Sequence, residues 1–175
     1  MSIRSLIRTV PDYPKRGIQF RDITSLLEDA NGLRDAVRGL ADPFRSERID
    51  KVAGIEARGF LFGVAVALDL AAGFVPVRKE GKLPCATIGR DYALEYGTDR
   101  VEVHADALGP GDRVLVVDDL IATGGTVAAT LELLEHIGAE IVGCAFVIDL
   151  PDLGGRKRIE AAGHRVVSLC EFAGE

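Results

Sequence analysis

Apolar and polar positions change period several times along the chain, and each change marks an element. From Asn31, the apolar residues Leu33, Val37, Leu40, Ala41 and Phe44 recur at helical spacing, which predicts a helix capped by Asn31 and blurred at its end by Pro43. Residues 51–55 read as a short strand, 60–71 as an apolar helix closed by Gly73, and 74–78 as a second strand. From Pro84 to about Tyr96 there is no internal period, whereas residues 100–104 (RVEVH) alternate as a strand. Residues 113–117 form an almost unbroken branched apolar run, the pattern of a strand buried on both faces. Residues 126–137 carry Val127, Thr130, Leu131 and Leu134 on one helical face, with Gly138 placed to end it. Two further strands follow at 140–148 and 165–169, with a helix over about 155–162 between them. The opening stretch to about Asp22 is broken by Pro11, Pro14 and Gly17 and reads as a short helix and an irregular arm.

Strands alternating with helices at this spacing imply βαβ units, hence an α/β fold with a mainly parallel central sheet flanked by helices. In such sheets ligands sit at the carboxyl ends of the strands. The 175 residues correspond to about one domain, and 47% hydrophobic with 27% charged residues suits a globular core. Lysine and arginine number 21 against 27 acidic residues, a net charge of −6, which argues against coating nucleic acid or an anionic membrane by bulk charge. No apolar run approaches the roughly 18–20 residues needed to span a bilayer. Cys85, Cys144 and Cys170 are odd in number and lack a CxxC, so they read as buried small apolar residues of a cytoplasmic protein. His104, His136 and His164 share no metal-ligand spacing and read as structural or surface residues.

The most informative segment is VLVVDDLIATGGT, residues 114–126. A buried strand runs into two adjacent carboxylates, Asp118 and Asp119, then a turn of small and hydroxylic residues, Ala122, Thr123, Gly124, Gly125 and Thr126, then a helix. Glycines let backbone N–H groups approach an anion closely, and the helix N-terminus adds its positive dipole end. So tight a loop suits a single phosphate. The carboxylates repel a phosphate and suit instead the vicinal hydroxyls of a sugar, or a Mg²⁺ held through water. Phosphate donors beside hydroxyl acceptors describe a ribose-5-phosphate site. In GIEARGFLFG a strand–turn–helix again offers N–H groups to an anion, and Arg58 adds a cation. VRKEGKLP concentrates Arg78, Lys79 and Lys82 in an otherwise acidic chain. In GIQFRD, Phe20 supplies an aromatic platform for a base.

These segments, with PDYPKRGIQFRDIT and YALEYGTD, closely resemble the type I phosphoribosyltransferases, and within that family the branch that uses adenine, over about residues 11–153. The resemblance implies one phosphoribosyltransferase domain over 1–175, with a small N-terminal hood (1–30) and a mobile lid (about 84–98). It implies purine salvage: transfer of the 5-phosphoribosyl group from phosphoribosyl pyrophosphate to adenine, giving AMP and pyrophosphate, with Mg²⁺ carried by the substrate rather than by protein ligands. Asp118 and Asp119 would hold the ribose hydroxyls and the 122–126 loop the 5′-phosphate. Glu56, Ala57, Arg58, Arg78, Lys79 and Lys82 would hold pyrophosphate, and the peptide that is often cis in the family corresponds to Glu56–Ala57, whose state the residues alone leave open. One of the basic residues would cross into the partner's site of a homodimer. Adenine would be read by main-chain groups near Gln19 and Arg21, stacked by Phe20 and covered by Leu150. Glu95 matches the catalytic glutamate, either managing purine ring protons or stabilising an oxocarbenium-like state, and Tyr96 would close over the ligand with it. The same fold on another base, or a regulator that binds phosphoribosyl pyrophosphate without turnover, are the alternatives.

Overall fold

A computed structural model describes residues 2–93 and 97–174. Five of its strands form a parallel core: β3 (Lys51–Ile55), β4 (Gly73–Lys79), β7 (Arg113–Ile121), β8 (Glu140–Asp149) and β9 (Val166–Glu171). A hairpin of β5 (Thr87–Ala93) and β6 (Thr98–His104) adds antiparallel to the β4 edge, giving the order β5-β6-β4-β3-β7-β8-β9. The arm before the sheet forms a separate hairpin, β1 (Arg8–Pro11) with β2 (Gln19–Asp22), whose turn contains a cis Tyr13–Pro14 bond.

Helices cover both faces. On one, α1 (Thr24–Glu28), α2 (Ala30–Ala41) and α3 (Gly59–Asp69) accompany a core that includes Leu26, Leu40, Phe62, Val66, Leu115 and Val117. On the other, α4 (Gly125–Ile137) and α5 (Gly155–Ala161) bury Val127, Leu131, Leu134 and Ile159 against Val116 and Phe146. Alternate residues of β7 thus feed two cores. That is why its sequence is a continuous apolar run. Among the described residues no helix is long and apolar enough to cross a membrane.

The structure corrects several expectations. The α2 cap is Asp29, whose carboxylate accepts the Gly32 amide at 2.7 Å, so Asn31 sits inside the helix. Helix α3 stops at Asp69, Ala71 takes the left-handed turn (φ 53°), and Gly73 opens β4 instead of closing the helix. The aperiodic segment contains β5, an edge strand with no fully buried position, so no face of it is marked by alternation. The arm is an ordered hairpin, and β7 continues through both aspartates to Ile121. Cys144 is buried, but Cys85 is exposed. His104 lies 2.9 Å from the Pro84 carbonyl and His164 3.5 Å from Glu135, contacts of a structural kind.

Candidate active site

The carboxyl end of β7 carries Asp118, which lines a cavity, and Asp119, which is buried next to it. Asp118 Oδ1 accepts the Asp119 amide at 2.8 Å. Burial, and then the neighbouring Asp119 charge, hold the Asp118 carboxyl well above the usual carboxylate range. Burial also raises Asp119, but the Arg58 guanidinium pulls it back, its Nη2 lying 2.8 Å from Asp119 Oδ2. Both carboxyls are thus shifted upward, Asp118 the more strongly, with Arg58 offsetting part of the shift at Asp119. Gly59, at the start of α3, makes room for this: a Cβ there would lie 2.6 Å from Asp118 Oδ1.

Beyond the pair, residues 122–126 wrap a cavity of about 120 Å³, lined also by Asp118, Leu120, Ile121 and Val127. Gly124 takes a left-handed conformation (φ 75°) that turns the strand into α4. The first amides of a helix have no partner within it, and here α4 directs its positive end at the cavity. The loop rests on Gly155 at the start of α5, whose amide donates to the Ala122 carbonyl at 2.9 Å. Gly155 was not singled out from sequence. Its signal, a glycine pair after β8, is intelligible only once α5 is seen beneath the loop.

The Glu56–Ala57 peptide is cis, the state that the residues alone left open. The Glu56 carboxylate turns to the end of β4, accepting the Lys79 amide at 2.8 Å and Arg78 Nε at 3.2 Å. Arg78 also donates to the Lys82 carbonyl at 2.9 Å, so these three basic residues and Glu56 form one patch. Arg58, grouped with them from sequence, points elsewhere: besides Asp119 it donates to the Arg21 carbonyl at 3.3 Å, and its guanidinium stands 5.2 Å from the Phe20 ring centre. Lys79 bonds the Tyr92 hydroxyl and lies 2.5 Å from Asp99. Burial opposes the Lys79 charge, but hydrogen bonds to Asp99 and Tyr92 outweigh it and raise the ammonium above its usual range. Thr126 in turn donates to Tyr92 at 3.2 Å, so Tyr92 links the basic patch to the 122–126 loop. Tyr92 and Asp99 begin and end the segment YALEYGTD, but no role for either was read from it.

A second cavity, about 370 Å³, opens beside the first and shares Leu120 and Thr123 with it. One wall is Ile18, Gln19, Phe20 and Arg21 of the hood, and the other is Leu150 and Leu153 just after β8. Phe20 and Leu150 therefore face a common space. The Arg21 side chain is buried and committed elsewhere, donating to Thr9 Oγ1 at 2.5 Å and to the Ala173 carbonyl at 3.0 Å. Glu95 and Tyr96 lie outside the described residues.

The phosphoribosyl transferase domain family matches residues 23–167. The adenine phosphoribosyltransferase of Methylobacillus flagellatus is 59% identical over 172 residues, covering 98% of both chains. That of Nitrosospira multiformis is 60% identical over 174 residues, 99% of each. Among solved structures, adenine phosphoribosyltransferase from Rhodothermus marinus superposes with a TM-score of 0.93 at 54% identity, over 97% of this chain and 96% of that one. The Saccharomyces cerevisiae enzyme, complexed with an imino-altritol bisphosphate and adenine, gives 0.89 at 37% identity over 96% of each chain.

Proposed function

The chain belongs to the phosphoribosyl transferase family, and on that premise we infer that it salvages a purine, joining adenine to phosphoribosyl pyrophosphate to give AMP and pyrophosphate. The observation that carries this reading is the pair of adjoining cavities, one lined by the 122–126 loop and Asp118, the other largely apolar and of a size for a base. Residues 1–175 are taken as one catalytic domain.

In the proposed reaction the 122–126 loop holds the 5′-phosphate, and Asp118 and Asp119 hold the ribose hydroxyls, fixing the sugar with its anomeric carbon toward the base cavity. Phe20 and Leu150 sandwich adenine, and main-chain groups of Gln19 and Arg21 read its edge. The bond from the anomeric carbon to pyrophosphate breaks, pyrophosphate leaves with the electron pair, a ring nitrogen of adenine bonds to the carbon, and that nitrogen's proton is lost. Arg78, Lys79 and Lys82, with the Glu56–Ala57 turn, receive the leaving pyrophosphate. Arg58, seated between Asp119 and Phe20, braces the junction of sugar and base sites. Glu95 assists at the glycosidic centre and Tyr96 covers it. Among the described residues no cluster of three or more metal-ligating side chains occurs, in keeping with a Mg²⁺ that would be carried by the substrate's own oxygens, with Asp118 close enough to the cavity to reach it through water. When bound, Mg²⁺ would offset the charge building on pyrophosphate.

A homodimer fits the surface of α3, where Leu61, Val64 and Leu68 stand exposed at spacings that share one helical face. Its three free thiols support a cytoplasmic setting. The reading is tested by an end-point assay with phosphoribosyl pyrophosphate, Mg²⁺ and each free base in turn. AMP from adenine alone is expected. A different nucleotide would overturn the base assignment, and binding of phosphoribosyl pyrophosphate without any product would make the chain a regulator.

A further inference from the structure

The residues just after β9 touch both walls of the base cavity without lining it. Phe172 is buried, its amide donating to the Asp149 carbonyl at 3.0 Å, one residue before Leu150. The Arg21 guanidinium stands 4.6 Å from its ring centre, and Arg4 4.8 Å. Arg21 then donates to the Ala173 carbonyl at 3.0 Å, and the Gly174 amide donates to Asp152 Oδ2 at 2.7 Å. Arg21 belongs to the hood wall, and Asp152 to the turn Pro151–Leu153 that carries the opposite wall. The hood hairpin shares no strand pairing with the main sheet, so its distance from β8 must be set by side-chain and tail contacts such as these.

We propose that Phe172–Gly174 is a clasp that sets the spacing of the two walls and so positions the base. The proposal rests on the adenine reading above and deepens it. A ring sandwiched between Phe20 and Leu150 needs that spacing held to about half an ångström, and a backbone bonded to both walls supplies the constraint. Among the described residues none of 172–174 lines the smaller cavity, so phosphoribosyl pyrophosphate should be indifferent to the clasp.

The test compares KM for adenine and for phosphoribosyl pyrophosphate in the full chain, in a chain ending at Phe172, and in Asp152→Ala. Deleting residues 173–175 removes both tail bonds and is expected to raise the adenine KM about tenfold, with Asp152→Ala raising it about threefold. The KM for phosphoribosyl pyrophosphate is expected to stay within about twofold in both. Asp152 is exposed, so its variant keeps the test open if the shortened chain does not fold. An unchanged adenine KM in a folded variant overturns the clasp, as does an equal rise for both substrates. A full-length chain that makes no AMP overturns the adenine reading and the clasp with it, whereas AMP formed equally well by all three chains removes the clasp alone.

Discussion

Gly155 stands directly beneath Ala122: its amide donates to the Ala122 carbonyl at 2.9 Å, and a Cβ on it would lie 2.2 Å from that oxygen and 2.7 Å from the Gly124 amide nitrogen. These are backbone atoms of the phosphate loop, which cannot step aside as a flexible side chain would. Gly155→Ala should push the loop off its seat, destabilising the fold by about 1–3 kcal/mol and raising the KM for phosphoribosyl pyrophosphate about tenfold. Steady-state kinetics with each substrate varied in turn checks this. A KM change confined to adenine would refute the role assigned to the contact.

Asp118 couples stability to pH. Its folded pKa is raised, first by burial and then by Asp119, so between the ordinary aspartate range and the raised value the folded state holds a proton the unfolded state has lost. Its contribution to stability therefore falls as pH rises through that window. Asp149 is also raised by burial and adds a slope of the same sign. Asp118→Asn should flatten the decline of melting temperature with pH, and, if Asp118 holds the ribose as proposed, lower kcat/KM about tenfold to a hundredfold. Melting curves at a series of pH values, with wild type beside variant, isolate the Asp118 share.

Tyr92 takes hydrogen bonds from Lys79 and Thr126 and gives one to Asp99 at 3.0 Å. Tyr92→Phe keeps the ring and deletes the junction. It should cost about 1 kcal/mol of stability and raise the KM for phosphoribosyl pyrophosphate a few-fold, roughly three to ten. Lys79 retains Asp99, so the patch keeps its charge. No change in that KM would mean that Tyr92 does not couple the two parts of the site.

Leu68, 78% exposed on α3, is the most solvent-facing large apolar residue of its stripe. In a dimer built on that face, Leu68→Glu would bury a charge without a partner and should shift sedimentation toward the monomer. An unchanged sedimentation coefficient in a dimeric wild type would move the interface to another surface.

Glu95→Ala should reduce turnover by about a hundredfold or more, the scale of a lost acid–base or electrostatic group, while AMP binding measured by calorimetry stays largely intact. Equal turnover would remove Glu95 from the chemistry.

Much of this was legible in the residues alone, and for identifiable reasons. The apolar run 113–117, the face of α4 and the Gly138 stop are local patterns, and a strand buried on both sides or a helix with one apolar face writes its period into the chain. The acidic pair and the 122–126 loop are contiguous, so their order alone suggested the sugar-phosphate reading proposed above. Tertiary structure decided the rest. Strand β5 gains its order from pairing with β6, not from alternation of its own, and Arg58 reached Asp119 and Phe20 because the α3 start packs against the end of β7. Gly155 under the loop, Tyr92 beside Thr126 and the tail against Arg21 and Asp152 join residues 22 to 152 positions apart. The physical reason is range: periodicity and capping act within a few residues, whereas the distances that shape a site are set by the packing of elements that the chain folds together from far apart.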